Sequence, residues 1–116
     1  MKLITAAIRP ERLDDVLDSL DAAGLRGVTV TAGAGRAETT PTRTEVYKGV
    51  KIHHRLGVNV RLEVLVDERD AVGAIRAITC AGFSGTGDDG LVWTTDLDSV
   101  MRIKDKVVGA AALSVG

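Results

Sequence analysis

The spacing of apolar residues changes several times along the chain, and each change marks an element. Residues 2–9, KLITAAIR, form a nearly uninterrupted apolar run, which predicts a buried strand. Pro10 follows, a residue well suited to the first position of a helix. Leu13, Val16, Leu17 and Leu20 then recur at i, i+3, i+4 and i+7, with Asp14, Asp15, Asp18 and Asp21 between them. That is a helix with one buried face, and Gly24 is its natural stop. Residues 27–35, GVTVTAGAG, read as a second strand running into a glycine-rich end. The clearest two-residue period lies at 58–67. There Val58, Val60, Leu62, Val64 and Val66 share one face, and Asn59, Arg61 and Glu63 share the other. A second helix is predicted at about 68–81, with Ala71, Ile75 and Ile78 on one side and Gly82 at its end. Residues 91–97 and 100–105 read as short strands, and the small, apolar tail 107–116 shows no period.

Two strand–helix–strand units in one chain predict an α+β fold. It is a ferredoxin-like βαββαβ sandwich with both helices on one face of an antiparallel sheet and an additional short C-terminal strand. A single domain spans 1–116. The other sheet face, carrying Thr29, Thr31, Arg61, Glu63 and Leu65, must meet solvent or a second subunit. Residues 36–57 do not fit this economy: they are polar and charged, yet they join two strands that should be neighbours. Connections of this length inside compact domains are usually functional or disordered.

Composition narrows the functional classes. The chain has 116 residues, 45% of them hydrophobic, enough for one core. A net charge of −1 leaves no electrostatic footprint for nucleic acid or an anionic membrane. Tyr47, Phe83 and Trp93 are the only aromatic residues, too few for a base-stacking platform. One cysteine, Cys80, forms no internal disulfide and is expected as a small core residue near a helix end. No apolar run approaches the ~20 residues of a spanning helix, and no signal peptide precedes the first strand. A cytoplasmic location is therefore expected.

Three segments carry candidate chemistry. Residues 82–90, GFSGTGDDG, set glycines close enough for backbone amides to approach a phosphate, with the Ser84 and Thr86 hydroxyls beside them. The loop lacks the Gly-Lys-Ser/Thr ending of a P-loop, and an ordinary glycine-rich turn fits it equally well. Arg102 and Lys104, two apart on a predicted strand, share a face on which they can clamp an anion. The plainer reading is a charged, solvated edge. His53 and His54 are adjacent in the long insert and offer a transition-metal site, with no second ligand cluster nearby. A trimeric, ferredoxin-like metal-binding protein is thus the alternative reading. No catalytic triad, carboxylate pair or metalloprotease motif is present, so no enzyme is expected.

Taken together, these segments resemble the PII signal-transduction family over almost the whole chain. The opening MKLITAAIRPERLDDVLDSLDAAGLRGVTVT is similar to the family's amino-terminal pattern. TEVYKGV (44–50) resembles its T-loop around Tyr47, the loop ending in Asp89-Gly90 its B-loop, and VMRIK (100–104) its C-loop. The resemblance implies a homotrimeric signalling protein with adenine nucleotides in the clefts between subunits. Gly27, Thr29 and Glu63 match positions around the adenine; Gly87, Asp88, Asp89, Gly90, Arg102 and Lys104 fall in the segments near the phosphates. Gly35 and Arg36 open the T-loop, whose Tyr47, Lys48 and Gly49 would meet a protein partner, such as a membrane transporter, a metabolic enzyme or a regulator. Among the departures from the pattern, three fall on ligand contacts. Ala37 stands in place of a glutamine, Asn59 in place of a T-loop-base lysine, and Leu91 in place of the B-loop lysine. These are contacts to Mg-ATP and 2-oxoglutarate, so ADP, AMP or another adenine ligand is expected instead.

Overall fold

In the computed structural model, residues 1–25, 27–35, 43–47, 49–54, 57–85, 87 and 89–114 are described, with backbone alone at 34–35, 43–47, 50–54 and 57–58. The elements are β1 (Lys2–Ile8), a 3-10 turn (Pro10–Arg12), α1 (Leu13–Ala22), β2 (Val28–Gly35), β3 (Arg43–Tyr47), β4 (Val50–His54), β5 (Gly57–Val66), α2 (Glu68–Gly82), β6 (Leu91–Asp96) and a second 3-10 segment (Gly109–Leu113). Four strands form a sheet in the order β2-β5-β1-β6, with every neighbour antiparallel. This is the predicted ferredoxin-like sandwich.

The period-two pattern of β5 sets the register. Val60, Leu62 and Val64 pair with Ile8, Ala6 and Ile4 of β1, so all six point to the same side. Beneath them α1 supplies Val16 and Leu20, and α2 supplies Ala74 and Ile78, to form one buried core. Each buried aliphatic side chain contributes roughly 1.5–3 kcal/mol over leaving it in water. Pro10 opens a 3-10 turn, closed by a 3.0 Å bond from the Arg12 N–H to the Arg9 carbonyl, and the α-helix proper begins at Leu13. Gly24 (φ +81°) ends the run of α1, and the Leu25 N–H returns to the Leu20 carbonyl at 2.9 Å. Among the described residues no helix is long and apolar enough to cross a membrane.

Three expectations need correction. The segment 100–105 is not a strand. It folds back on the residues that follow it, through a Met101–Val108 bridge and a 2.8 Å bond from the Arg102 N–H to the Val107 carbonyl. Lys106 sits at φ +60° in the turn. The alternating pattern of VMRIK looked like a strand, but β6 already pairs with β1 and the segment found its partner locally. Cys80 is exposed, not part of the core; it lies two residues beyond buried Ile78, hence about 200° around the helix. Finally, part of the long insert is regular: β3 and β4 pair antiparallel as a two-stranded ribbon of their own.

Candidate functional site

A cavity of about 700 Å³ opens at the β2 edge of the sheet, lined by Gly27, Thr29, Glu63 and Leu65, with Leu25 on one side and Ala112 and Leu113 on another. Thr29 lies directly opposite Glu63 in the β2–β5 ladder, so a hydroxyl and a carboxylate enter the cavity side by side. Nothing stands within 4 Å of where a Cβ on Gly27 would be, and the absent side chain keeps that wall open. Glu63 makes a 3.6 Å ion pair with Arg61. A half-exposed carboxylate among aliphatic walls suits a flat, largely apolar ring bearing an amino donor.

The glycine loop lies elsewhere. It follows α2 and leads into β6, the opposite edge strand. Its centre is Asp89, whose carboxylate accepts the Ser84 N–H at 3.0 Å, the Ser84 hydroxyl, and the Gly85 N–H at 3.2 Å. Gly85, Gly87 and Gly90 all take positive φ. The Ser84 hydroxyl first, then the Ser84 and Gly85 amides, hold the Asp89 carboxyl below its ordinary value. A carboxyl depressed in the folded state stabilises it above the unfolded value, and that contribution is lost as pH falls through the folded one. We therefore expect the Ser84 and Gly85 amide resonances to shift together on acidification, with a midpoint below that of a free aspartate. An Asp89 midpoint at the free value would show that these bonds do not persist in solution.

The β2 and β6 edges are three strand spacings apart, about 14 Å. One chain thus carries the Thr29–Glu63 cavity and the glycine loop at opposite edges, and does not bring them together. Arg102 and Lys104 share no strand face, because residues 103–105 are a turn. Arg102 is instead engaged with Asp105, through its Nε and Nη2 at 2.8–3.1 Å, and with the Ser114 carbonyl through Nη1 at 2.8 Å. Lys104 is exposed. Gly35 pairs with Gly57 where the ribbon leaves the sheet, and Gly49 (φ +80°) occupies the turn between β3 and β4. Arg36, Lys48 and Asp88 lie outside the described residues, as do the side chains of Tyr47, His53 and His54. Among the described residues no three His, Cys, Asp or Glu side chains gather into a metal site.

Sequence reasoning missed the places of Asp105, Ala112 and Leu113, and the contact that Arg61 makes. Asp105 was unread, although an acid three residues after Arg102 across a turn is a visible charge pair. Ala112 and Leu113 belong to a tail without period, which gave no signal. Arg61 lies 5.6 Å over the Trp93 ring, from β5 to β6 across β1, a contact that only the strand order creates.

Comparison with known proteins agrees with the fold and with the resemblance. The family model for nitrogen regulatory protein P-II matches residues 1–107. Nitrogen regulatory protein P-II 1 of Methanothermobacter thermautotrophicus is 36% identical over 113 residues, covering 97% of both chains. Nitrogen regulatory protein P-II of Mesorhizobium japonicum is 34% identical over 113 residues, covering 97% of this chain and all of the relative. Nitrogen regulatory protein GlnK of Escherichia coli K12 is 30% identical over 115 residues, again covering 97% of this chain and all of the relative. With a family model across nine-tenths of its length, full-length relatives and the sheet order of the sandwich, the chain belongs to the nitrogen regulatory P-II family of signalling proteins.

Proposed function

We propose that this chain senses an adenine nucleotide in clefts completed by a second copy of itself, and passes the ligand state to a protein partner through the segment 36–57. The observation that carries this reading is the division of the site. The cavity lined by Gly27, Thr29 and Glu63 holds the positions that the family resemblance gives to the adenine. The glycine loop it gives to the phosphates sits at the other edge of the same sheet. A homotrimer that sets the β2 edge of one copy against the β6 edge of the next joins the two halves. A ribbon projecting beside such a cleft is positioned to change shape with what the cleft holds. The partner is a protein with a groove or pore for the ribbon tip, such as a transporter, or a metabolic enzyme or regulator.

The phosphate state follows from what is missing. Leu91, where a lysine would reach a phosphate, is 74% exposed and offers no donor. Asn59, in the place of a second lysine, is partly buried on β5. Each lost charged contact costs at least ~1.5 kcal/mol, and two together weaken a triphosphate site by about a hundredfold. ADP or AMP is accordingly favoured over Mg-ATP with 2-oxoglutarate. Isothermal titration with ATP, ADP and AMP, each with and without Mg²⁺ and 2-oxoglutarate, tests this. We expect micromolar binding of ADP or AMP and weaker binding of Mg-ATP. No heat from any of the three would overturn the nucleotide reading.

A further inference from the structure

The cavity has a wall that the sheet does not supply. Ala112 and Leu113, at the end of the 3-10 segment Gly109–Leu113, stand across it from Thr29 and Glu63. Leu113 is the one large side chain among these five residues, and none of the five is fully buried. What fastens this segment is polar and local. At its end the Ser114 carbonyl accepts the Arg102 Nη1 at 2.8 Å. At its start the Gly109 N–H donates to the Val100 carbonyl at 2.9 Å. Arg102 is in turn oriented by Asp105, whose carboxylate takes Nε and Nη2 side by side and also accepts the Val107 N–H at 3.2 Å. Three of the five guanidinium N–H directions are thereby spent within the chain.

We propose that Asp105 is a positioning residue that parks Arg102 on the C-terminal segment, and that an anionic ligand drawing Arg102 away unlatches this wall of the cavity. The inference rests on the proposed nucleotide reading for its ligand, since it needs an anion beside a base-binding cavity. It adds a cost and a signal to that reading. A phosphate that pairs with Arg102 must displace an existing bidentate carboxylate, and the displaced contact frees residues 109–114. The neutral part of the ligand meets Ala112 and Leu113 while Arg102 is not among the lining residues, so it leaves the latch closed. The segment therefore reports charge, not merely occupancy.

Asp105→Asn separates the latch from the turn: the asparagine oxygen still accepts the Val107 N–H, while the charge that holds Arg102 is gone. Hydrogen exchange of the full-length protein, read at the amides of 109–114, is the measurement. Without ligand we expect Asp105→Asn to speed exchange there about two- to fivefold, the range of a partly exposed ion pair, with Asp105→Glu restoring slow exchange. The same variant is expected to bind ADP about two- to fivefold more tightly, since the competing carboxylate is removed. Saturating ADP is expected to speed exchange at 109–114 in the unmodified protein, and adenosine, which lacks phosphate, to leave it slow. Unchanged exchange in unliganded Asp105→Asn would overturn the latch, whatever binds. Bound ADP with exchange at 109–114 unchanged or slowed would overturn the unlatching while leaving nucleotide sensing intact. Absence of binding by ATP, ADP and AMP alike would overturn the nucleotide reading and the anion's role with it, and the unliganded comparison would still decide whether Asp105 and Arg102 hold the segment.

Discussion

Gly90→Ala is expected to be the most damaging glycine-to-alanine change among the described residues. A Cβ at this position would stand 1.7 Å from the Ala7 carbonyl oxygen and 2.8 Å from its carbon. The obstacle is backbone in the central strand β1, so no side chain can rotate away to make room. Gly90 also sits at φ +94°, a conformation that costs an L-residue about 1–3 kcal/mol even in open space. Relief requires the loop to lift from β1, and that detaches the start of β6, where Leu91 pairs with Ala7. Strain plus lost pairing sums to about 3–5 kcal/mol, near the upper end for point substitutions. In a domain of this size the melting temperature should fall by about 10–20 °C. Thermal and urea unfolding followed by circular dichroism reads both quantities. Gly73→Ala is the matched control. Its Cβ would meet nothing within 4 Å on the outside of α2, so it should stabilise by about 0.5–1 kcal/mol. A Gly90→Ala protein as stable as the unmodified one would mean that the loop does not rest on β1 in solution.

Where the chain's own neighbours set the structure, the pattern of residues was enough. The buried faces of α1 and β5 were legible because 3.6- and 2-residue periods map directly onto burial, and Val16, Leu20, Leu62 and Val64 are indeed in the core. Gly24 was legible because a left-handed stop demands glycine. The misreadings came where the outcome depended on which edge was available. VMRIK has a strand's alternation, but it turns at 103–106 because Asp105 satisfies both the Arg102 guanidinium and the Val107 amide. A small cysteine near the end of an amphipathic helix reads as a core residue, whereas the helical angle from Ile78 carries Cys80 outward. For the site, the residue pattern put Thr29 and Glu63 on one open sheet face and the family resemblance joined them at a ligand, while their direct pairing came only from the register. The separation of the glycine loop from them was not legible, since it follows from the strand order, nor was the place of the tail at the cavity, since its sequence carries no period.

In the proposed trimer the open sheet face is the surface that the copies would bury, and Trp93→Lys is the substitution that tests it. The face lies opposite the helices and carries Leu65, Leu91 and Trp93, which are 42%, 74% and 40% exposed in the single chain. Trp93 pairs with Thr5 of β1, and Thr5 with Glu63 of β5. Arg61 reaches over that row to within 5.6 Å of the indole centroid. Beneath this bridge Thr5 is only 1% exposed, although it points away from the core. An arginine within cation–π range of a tryptophan presents a broad, weakly hydrated surface, and these two residue types are enriched among the anchors of subunit contacts. A lysine in place of Trp93 removes the aromatic area and sets a second cation beside Arg61, both of which another copy would have to bury. Loss of such an anchor costs at least about 2 kcal/mol per interface, roughly a thirtyfold weakening at each contact. We expect sedimentation velocity at micromolar concentration to show trimers for the unmodified chain and monomers for Trp93→Lys, with the far-ultraviolet spectrum unchanged. Nucleotide binding should vanish in step with assembly, although Trp93 lies on β6 and lines no part of the Thr29–Glu63 cavity. A variant that remains trimeric would show that the copies meet through another face. A monomer that still binds ADP with unchanged affinity would place the whole site within one chain, and the division between the two sheet edges would then have no functional meaning.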